Sequence, residues 1–160
     1  MVAAPNKAEV VKFAGGWLFD RVMAGWDVLV LTPDGGDDRP LRILGARPLD
    51  LESALSCRFE GPRPQAIAID AELYGADKRI QDRVLQVLDE GVTEIRLWGE
   101  YWSTDGAGGA CAVRHRLSAA ARAFKAQALG ATAVKADRGE VIELFGPGEL
   151  LRLSRQSRSA

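Results

Sequence analysis

The stretch AIAIDAELYGADKRIQDRVLQVLDEGVTEIRLW, residues 66–98, reads as a strand, a helix and a second strand. The run 66–69 is apolar and partly β-branched, which favours a buried strand. Between 77 and 90, apolar residues recur at i, i+4, i+7 and i+8 with charged residues on the other face, as in an amphipathic helix. Gly91 ends that helix, and 93–98 returns to a β pattern. Parallel strands need such crossover connections, so this stretch predicts a parallel α/β unit.

The same order of helix, glycine and strand occurs twice more. Apolar residues at helical spacing cover 8–24, Gly25 follows, and 27–32 is a compact β run. Further along, Leu129-Gly130 precedes a β run at 132–134. Three such units predict helices packed on a sheet that is partly parallel, with a left-handed cap at each glycine.

Two hairpins complete the predicted fold. Turn residues at 33–38 separate the 27–32 strand from a β pattern at 41–44, and residues 133–145 read as a hairpin that turns at 137–139. We also predict a short helix near 50–57 capped by Asp50, and a helix at 119–129 capped by Ser118. The alternation at 111–117 favours a strand, and the alternative is the start of a helix. The fold class is therefore α/β, with a mixed, partly parallel sheet and helices packed on it. We expect a single compact domain over 1–152, followed by a polar tail at 153–160.

Composition favours one ordinary globular domain. The chain has 160 residues, of which 47% are hydrophobic and 27% charged. It carries neither a secretory signal pattern nor an apolar run of membrane-spanning length, so a cytoplasmic location is expected. Cys57 and Cys111 are not in a CxxC pattern and His115 is the single histidine. This cysteine and histidine content disfavours structural zinc.

Three carboxylates suggest a metal-dependent reaction. Asp70 and Glu100 directly follow predicted strands, and Glu72 lies close behind Asp70. If these strands are parallel neighbours, the carboxylates converge at one edge of the sheet and could hold Mg²⁺. A phosphoesterase or nuclease would then be the activity. The alternative is that Asp70 or Glu72 begins the helix that runs to residue 90.

Charge is distributed unevenly along the chain. Residues 1–108 carry 12 basic and 18 acidic side chains, whereas 109–160 carry 9 and 4. Arg114, Arg116 and Arg122 could follow a nucleic-acid backbone, with Tyr101 or Trp102 stacking on bases. The alternatives are a solvated basic surface and, for His115, a partly buried side chain within a strand.

No specific catalytic signature is present, and this absence favours a non-catalytic binding or regulatory module that acts through protein contacts and self-associates. We therefore expect neither a catalytic residue nor a cofactor. One alternative function is an enzyme with Mg²⁺ held by Asp70, Glu72 and Glu100. The other alternative is nucleic-acid binding by the C-terminal third. The residues expected to bind a partner are Glu100, Tyr101, Trp102, Arg114, His115, Arg116 and Arg122.

Overall fold

A seven-stranded sheet with the order β3-β2-β1-β4-β5-β7-β6 forms the centre of the computed structural model. The structure describes residues 1–33, 35–57, 63–99, 112–132, 140–148 and 151. The strands are β1 (Val2–Ala3), β2 (Leu29–Thr32), β3 (Arg47–Asp50), β4 (Ala66–Asp70), β5 (Glu94–Trp98), β6 (Val113–Arg116) and β7 (Ile142–Pro147). The first five strands are mutually parallel, and β7 is antiparallel to both of its neighbours. The sheet is therefore mixed and mostly parallel, as predicted.

Helices cover both faces of this sheet. They are α1 (Lys7–Met23), α2 (Arg39–Ile43), α3 (Leu51–Ser56), α4 (Ala71–Ala76), α5 (Lys78–Glu90) and α6 (Ala119–Gly130). One apolar cluster joins α1, α2 and α6 to one face, and a second joins α3 and α5 to the other. The predicted α/β class is confirmed, and the helices form two layers around a single sheet.

The helix boundaries follow from local hydrogen bonds that the sequence predicts. The side chains of Asp50 and Ser118 accept the amide hydrogens of Ser53 and Ala121, so each begins its helix as expected. Gly91 adopts φ 70° directly after α5, where an L side chain would be strained. Gly25 follows α1 with φ 87°. Gly130 differs, because it is the last residue of α6 and has no positive φ.

The first of the two predicted hairpins is wrong. Residues 41–43 form the end of α2 and Leu44 is its C-cap, and β3, which follows, runs parallel to β2. Pro40 lies in the first turn of this helix, where its missing N–H costs nothing. Leu41 and Leu44 are both fully buried, because their spacing of three places them on one helical face. The second predicted hairpin turns at 137–139, which lie outside the described residues, and β7 pairs with β6 and β5.

Strand β1 was missed in the sequence, although it lies at the centre of the sheet. It has only two residues, Val2 and Ala3, which is too short for any periodicity to be recognised. Val2 pairs with Val30 on one side and Ala68 on the other. Neither α1 nor any other helix in the described part of the chain is long and apolar enough to cross a membrane.

Candidate functional site

The order of the parallel strands defines where a ligand site is expected. The chain builds β1, β2 and β3 outward in one direction, then returns to place β4 on the other side of β1. The strand order therefore reverses between β1 and β4, and α/β proteins of this doubly wound class bind ligands outside the carboxyl ends of the strands at this point. The residues to consider are those that follow β1 and those that end β4.

Asp70 ends β4 at this point and is buried, with 4% of its surface exposed. Its Oδ1 accepts a hydrogen bond of 2.9 Å from the backbone N–H of Leu73 and so caps α4. Burial raises the pKa of Asp70, an effect that outweighs the backbone hydrogen bonds from Leu73 and Glu72. The negative charge of Glu72 also raises that pKa. Asp70 can therefore carry a proton closer to neutral pH than an ordinary aspartate.

Gly99 forms a wall beside this carboxyl group. It directly follows β5 and has a φ of 125°, which side chains rarely tolerate. A Cβ at this position would lie 3.2 Å from Oδ2 of Asp70. A side chain at this position would therefore crowd the carboxyl group of Asp70.

A polar cavity of about 210 Å³ lies on the other side of β1, at the carboxyl ends of β2 and β3. Its walls include Lys7, Thr32 and Asp50. Lys7 is buried, and its Nζ donates a hydrogen bond of 2.8 Å to the carbonyl of Gly36 and lies 3.0 Å from Asp38 Oδ1. The edge of the sheet thus holds a titratable acid on one side of β1 and a polar cavity with a buried cation on the other.

The predicted magnesium site is only partly described. Asp70 and Glu72 are close enough to influence each other, but Glu72 is exposed in the first turn of α4. Glu100 lies outside the described residues. Among the residues that are described, no group of three His, Cys, Asp or Glu side chains could hold a metal ion. The described donors therefore do not amount to a magnesium site, and capping of α4 is the role that the structure shows for Asp70.

The predicted partner-binding residues divide into three groups. Glu100, Tyr101 and Trp102 lie outside the described residues. Arg114 and Arg116 are exposed on β6, and His115 between them points to the opposite face of the strand. Arg122 is exposed on α6, which belongs to the layer on the His115 side of the sheet. The structure therefore separates Arg122 from the two strand arginines.

His115 has a carboxylate partner that the sequence did not reveal. Its Nε2 lies 2.8 Å from Oδ2 of Asp20, on α1, and Asp20 also accepts the backbone N–H of Ser118 at 3.2 Å. Hydrogen bonds from Ser118 and His115 hold the pKa of Asp20 below its usual range in spite of its partial burial. Asp20 and His115 are 95 residues apart in the sequence, so no local pattern could have paired them.

A second buried polar cluster was also missed. Glu143 on β7 accepts the backbone N–H groups of Gly16 and Trp17, at 2.8 and 2.7 Å, within α1. Its Oε1 also accepts a hydrogen bond of 2.7 Å from Nζ of Lys125. Burial raises the pKa of Glu143, against the pull of Lys125. Because its carboxylate is bonded on both oxygens, we assign this cluster to the attachment of α1 and α6 to the sheet.

Comparison with known proteins supports the fold and corrects the predicted function. No protein family and no curated protein matches the sequence. The solved structure of a triple mutant of a deacetylase involved in the teicoplanin biosynthetic pathway is similar, with a TM-score of 0.61 and 17% sequence identity. The match covers 91% of this chain and 95% of that one. At this identity, the likeness shows a shared fold.

This comparison contradicts the predicted non-catalytic binding module, whereas self-association stays a prediction. The solved structure that shares this fold along nearly the whole chain is that of a deacetylase mutant, and not of a binding module. The prediction rested on the absence of a catalytic signature in the sequence. A missing motif is weak evidence against a site, since the environment of Asp70 depends on strands that are far apart in the sequence.

Proposed function

We propose that this protein is a hydrolase that removes acyl groups from amides or esters at the carboxyl edge of β1 and β4. The observation that carries the proposal is Asp70, a buried carboxyl group with a raised pKa at the point where the strand order reverses. Buried acids with a raised pKa in such positions are typical of general acid–base catalysts. The deacetylase of similar fold supports this class of reaction.

In the proposed reaction, Asp70 moves one proton. The ionised carboxylate accepts a proton from water as the water oxygen bonds to the acyl carbon. The protonated carboxyl group then donates that proton to the leaving nitrogen or oxygen as its bond to the acyl carbon breaks. A raised pKa favours the second step, because the protonated form then persists to a higher pH than in an ordinary aspartate. The polar cavity beside Lys7 and Thr32 receives the part of the substrate that does not react.

Acetate release from a panel of N-acetylated amines and acetate esters tests this proposal. Asp70→Asn keeps a side-chain acceptor for the cap of α4 but cannot titrate. We expect it to lower kcat by about 100-fold or more, the usual contribution of a general acid or base. Asp77→Asn is the matched control, because Asp77 also caps a helix, α5, but does not line the polar cavity. It should retain nearly full activity.

Two outcomes would overturn the proposal. One is that the wild-type protein releases no acetate from any member of the panel. The other is that Asp70→Asn and Asp77→Asn hydrolyse the substrates at equal rates while both remain folded, as judged by circular dichroism.

A further inference from the structure

The face of the sheet that α3 and α5 cover contains an apolar cavity that the proposed hydrolysis does not use. It has a volume of about 150 Å³ and lies between the sheet and the helices α3 and α5. Aliphatic side chains form most of its wall, among them Leu31, Leu51, Leu55, Ile69, Ile80 and Val84. A dry cavity of this size, lined by aliphatic and aromatic side chains, is large enough to hold a benzene molecule.

The cavity exists because a small residue lies at the centre of the sheet. Ala3 pairs with Leu31 on one side and with Ile69 on the other. All three line the cavity, but Ala3 contributes only a methyl group where its neighbours contribute branched chains. The space that a larger residue would fill is therefore left open under α3 and α5.

One charged side chain, Arg83 of α5, also lines the cavity, although the wall itself is almost wholly apolar. Its Nη2 donates hydrogen bonds of 3.2 and 3.1 Å to the carbonyls of Leu55 and Cys57, at the end of α3. These bonds hold the guanidinium in place beside the cavity. Its Nε and Nη1 have no hydrogen-bond partner among the described residues. A guanidinium with free N–H groups suits a carboxylate.

We propose that this cavity binds a short-chain carboxylate, with a hydrocarbon tail of roughly six carbons inside it and the carboxylate on Arg83. The tail gains by leaving water, and the cavity offers it no unsatisfied polar group. The carboxylate stays near the solvent, where Arg83 is exposed. This site stands on its own, since neither Asp70 nor the polar cavity beside Lys7 belongs to its wall.

Calorimetric titration with acetate, butanoate, hexanoate and octanoate tests whether the hydrocarbon tail of the ligand lies in the cavity. We expect affinity to rise about fourfold with each methylene up to about six carbons, and then to level off once the cavity is full. Affinity that does not depend on chain length would overturn the proposal. The same titration with 1-hexanol measures the contribution of the tail without the carboxylate.

Two variants test the cavity itself. Ala3→Ile fills it from the sheet, with a β-branched residue that suits a strand. We expect this variant to lose measurable hexanoate binding and to unfold at a higher temperature than the wild type. Val87→Phe fills the cavity from α5 and is independent of the strand. Hexanoate binding at wild-type affinity in either folded variant would overturn the proposal.

Arg83→Gln tests whether the carboxylate of the ligand binds to the guanidinium of Arg83. It should weaken hexanoate binding about fivefold or more and leave 1-hexanol binding unchanged. Arg79→Gln is the matched control, one turn earlier on the same helix and with the same change of charge. The guanidinium of Arg79 is already bonded to Glu52 and Asp77, so hexanoate binding should not change. Equal losses in the two variants would show a general effect of charge and would overturn the role of Arg83.

Discussion

Asp50 and Asp70 each end a parallel strand and cap a helix of six residues, and their backbone angles are nearly the same, with φ and ψ of −71° and 124° against −66° and 131°. Each accepts the amide hydrogen three residues ahead, at 2.7 and 2.9 Å. Each is followed two residues later by a glutamate, Glu52 or Glu72. In local sequence and local structure, the two units are equivalent.

Their environments differ because of strand order. β3 is at the edge of the sheet, so Asp50 is exposed, and hydrogen bonds from Ser53 lower its pKa. β4 lies between β1 and β5, so Asp70 is buried, and its pKa is raised. The same aspartate-capped turn thus serves as an ordinary cap at the edge and as a candidate acid–base group at the centre.

The largest effect should come from closing the space beside Asp70. Gly99→Ala places a Cβ at a φ of 125° and 3.2 Å from Asp70 Oδ2. Strain of this kind costs about 1–3 kcal/mol, so the melting temperature should fall by roughly 3–10 °C. Gly75→Ala is the control, because Gly75 lies in α4 with open space around it. Its melting temperature should be unchanged or higher. A stable Gly99→Ala protein would show that Asp70 is not confined as described.

A smaller effect, opposite in sign for the two aspartates, should appear in stability as a function of pH. The raised pKa of Asp70 means that its contribution to stability is present at low pH and is lost as the pH rises through the folded-state pKa. Asp70→Asn stays neutral, so it should melt above the wild type at about pH 8 and together with it at about pH 3.

The pKa of Asp50 is lowered, so its contribution is present at neutral pH and is lost as the pH falls. Asp50→Asn should therefore melt below the wild type at about pH 8, and the difference should close towards about pH 3. Thermal melts of the three proteins across this range test both signs. A loss of stability in both variants at about pH 8 would show that Asp70 acts only as a helix cap, as Asp50 does, and would contradict its raised pKa.

The smallest expected effect is a change in the pKa of Asp70 when one of the two glutamates is replaced. Glu72 has no charged partner among the described residues, and its charge raises the pKa of Asp70. Glu72→Gln should therefore lower the pKa of Asp70, which a carbon-13 NMR titration of the side-chain carboxyl group would detect. Glu52→Gln removes the equivalent charge near Asp50, but Glu52 is bonded to Arg79, so the loss also frees that guanidinium. Glu52→Gln should leave the pKa of Asp70 unchanged, and a shift equal to that in Glu72→Gln would contradict the local effect.

The parts of the fold that the sequence predicted are those controlled within a few residues. Asp50 and Ser118 were recognised as caps, because a cap bonds to an amide only three residues away. Strand β4 and helix α5 were recognised from their repeating apolar residues. Residues 41–44 were misassigned, because two leucines three apart fit both a short strand and a short helix. Pro40 was the signal that could have corrected this assignment.

The candidate site was predicted only in part. Asp70 was identified from its position after an apolar strand, although it was assigned to a metal. The bond between His115 and Asp20 and that between Glu143 and α1 join residues about a hundred positions apart, so no pattern of neighbouring residues contains them. Lys7 was missed because β1, which positions it, has only two residues.

By itself, the sequence determined most of the helices and strands, where most of those elements begin, and that Asp50 caps a helix, because these features depend on hydrogen bonds and apolar spacing within a few residues. Tertiary structure alone decided that Asp70 is buried beside Gly99 while Asp50 is exposed. The physical reason is that burial depends on which strands lie on either side, and the strand order is set by contacts across the whole chain. The pKa of each carboxyl group follows from that burial, and with it the chemistry that the group can perform.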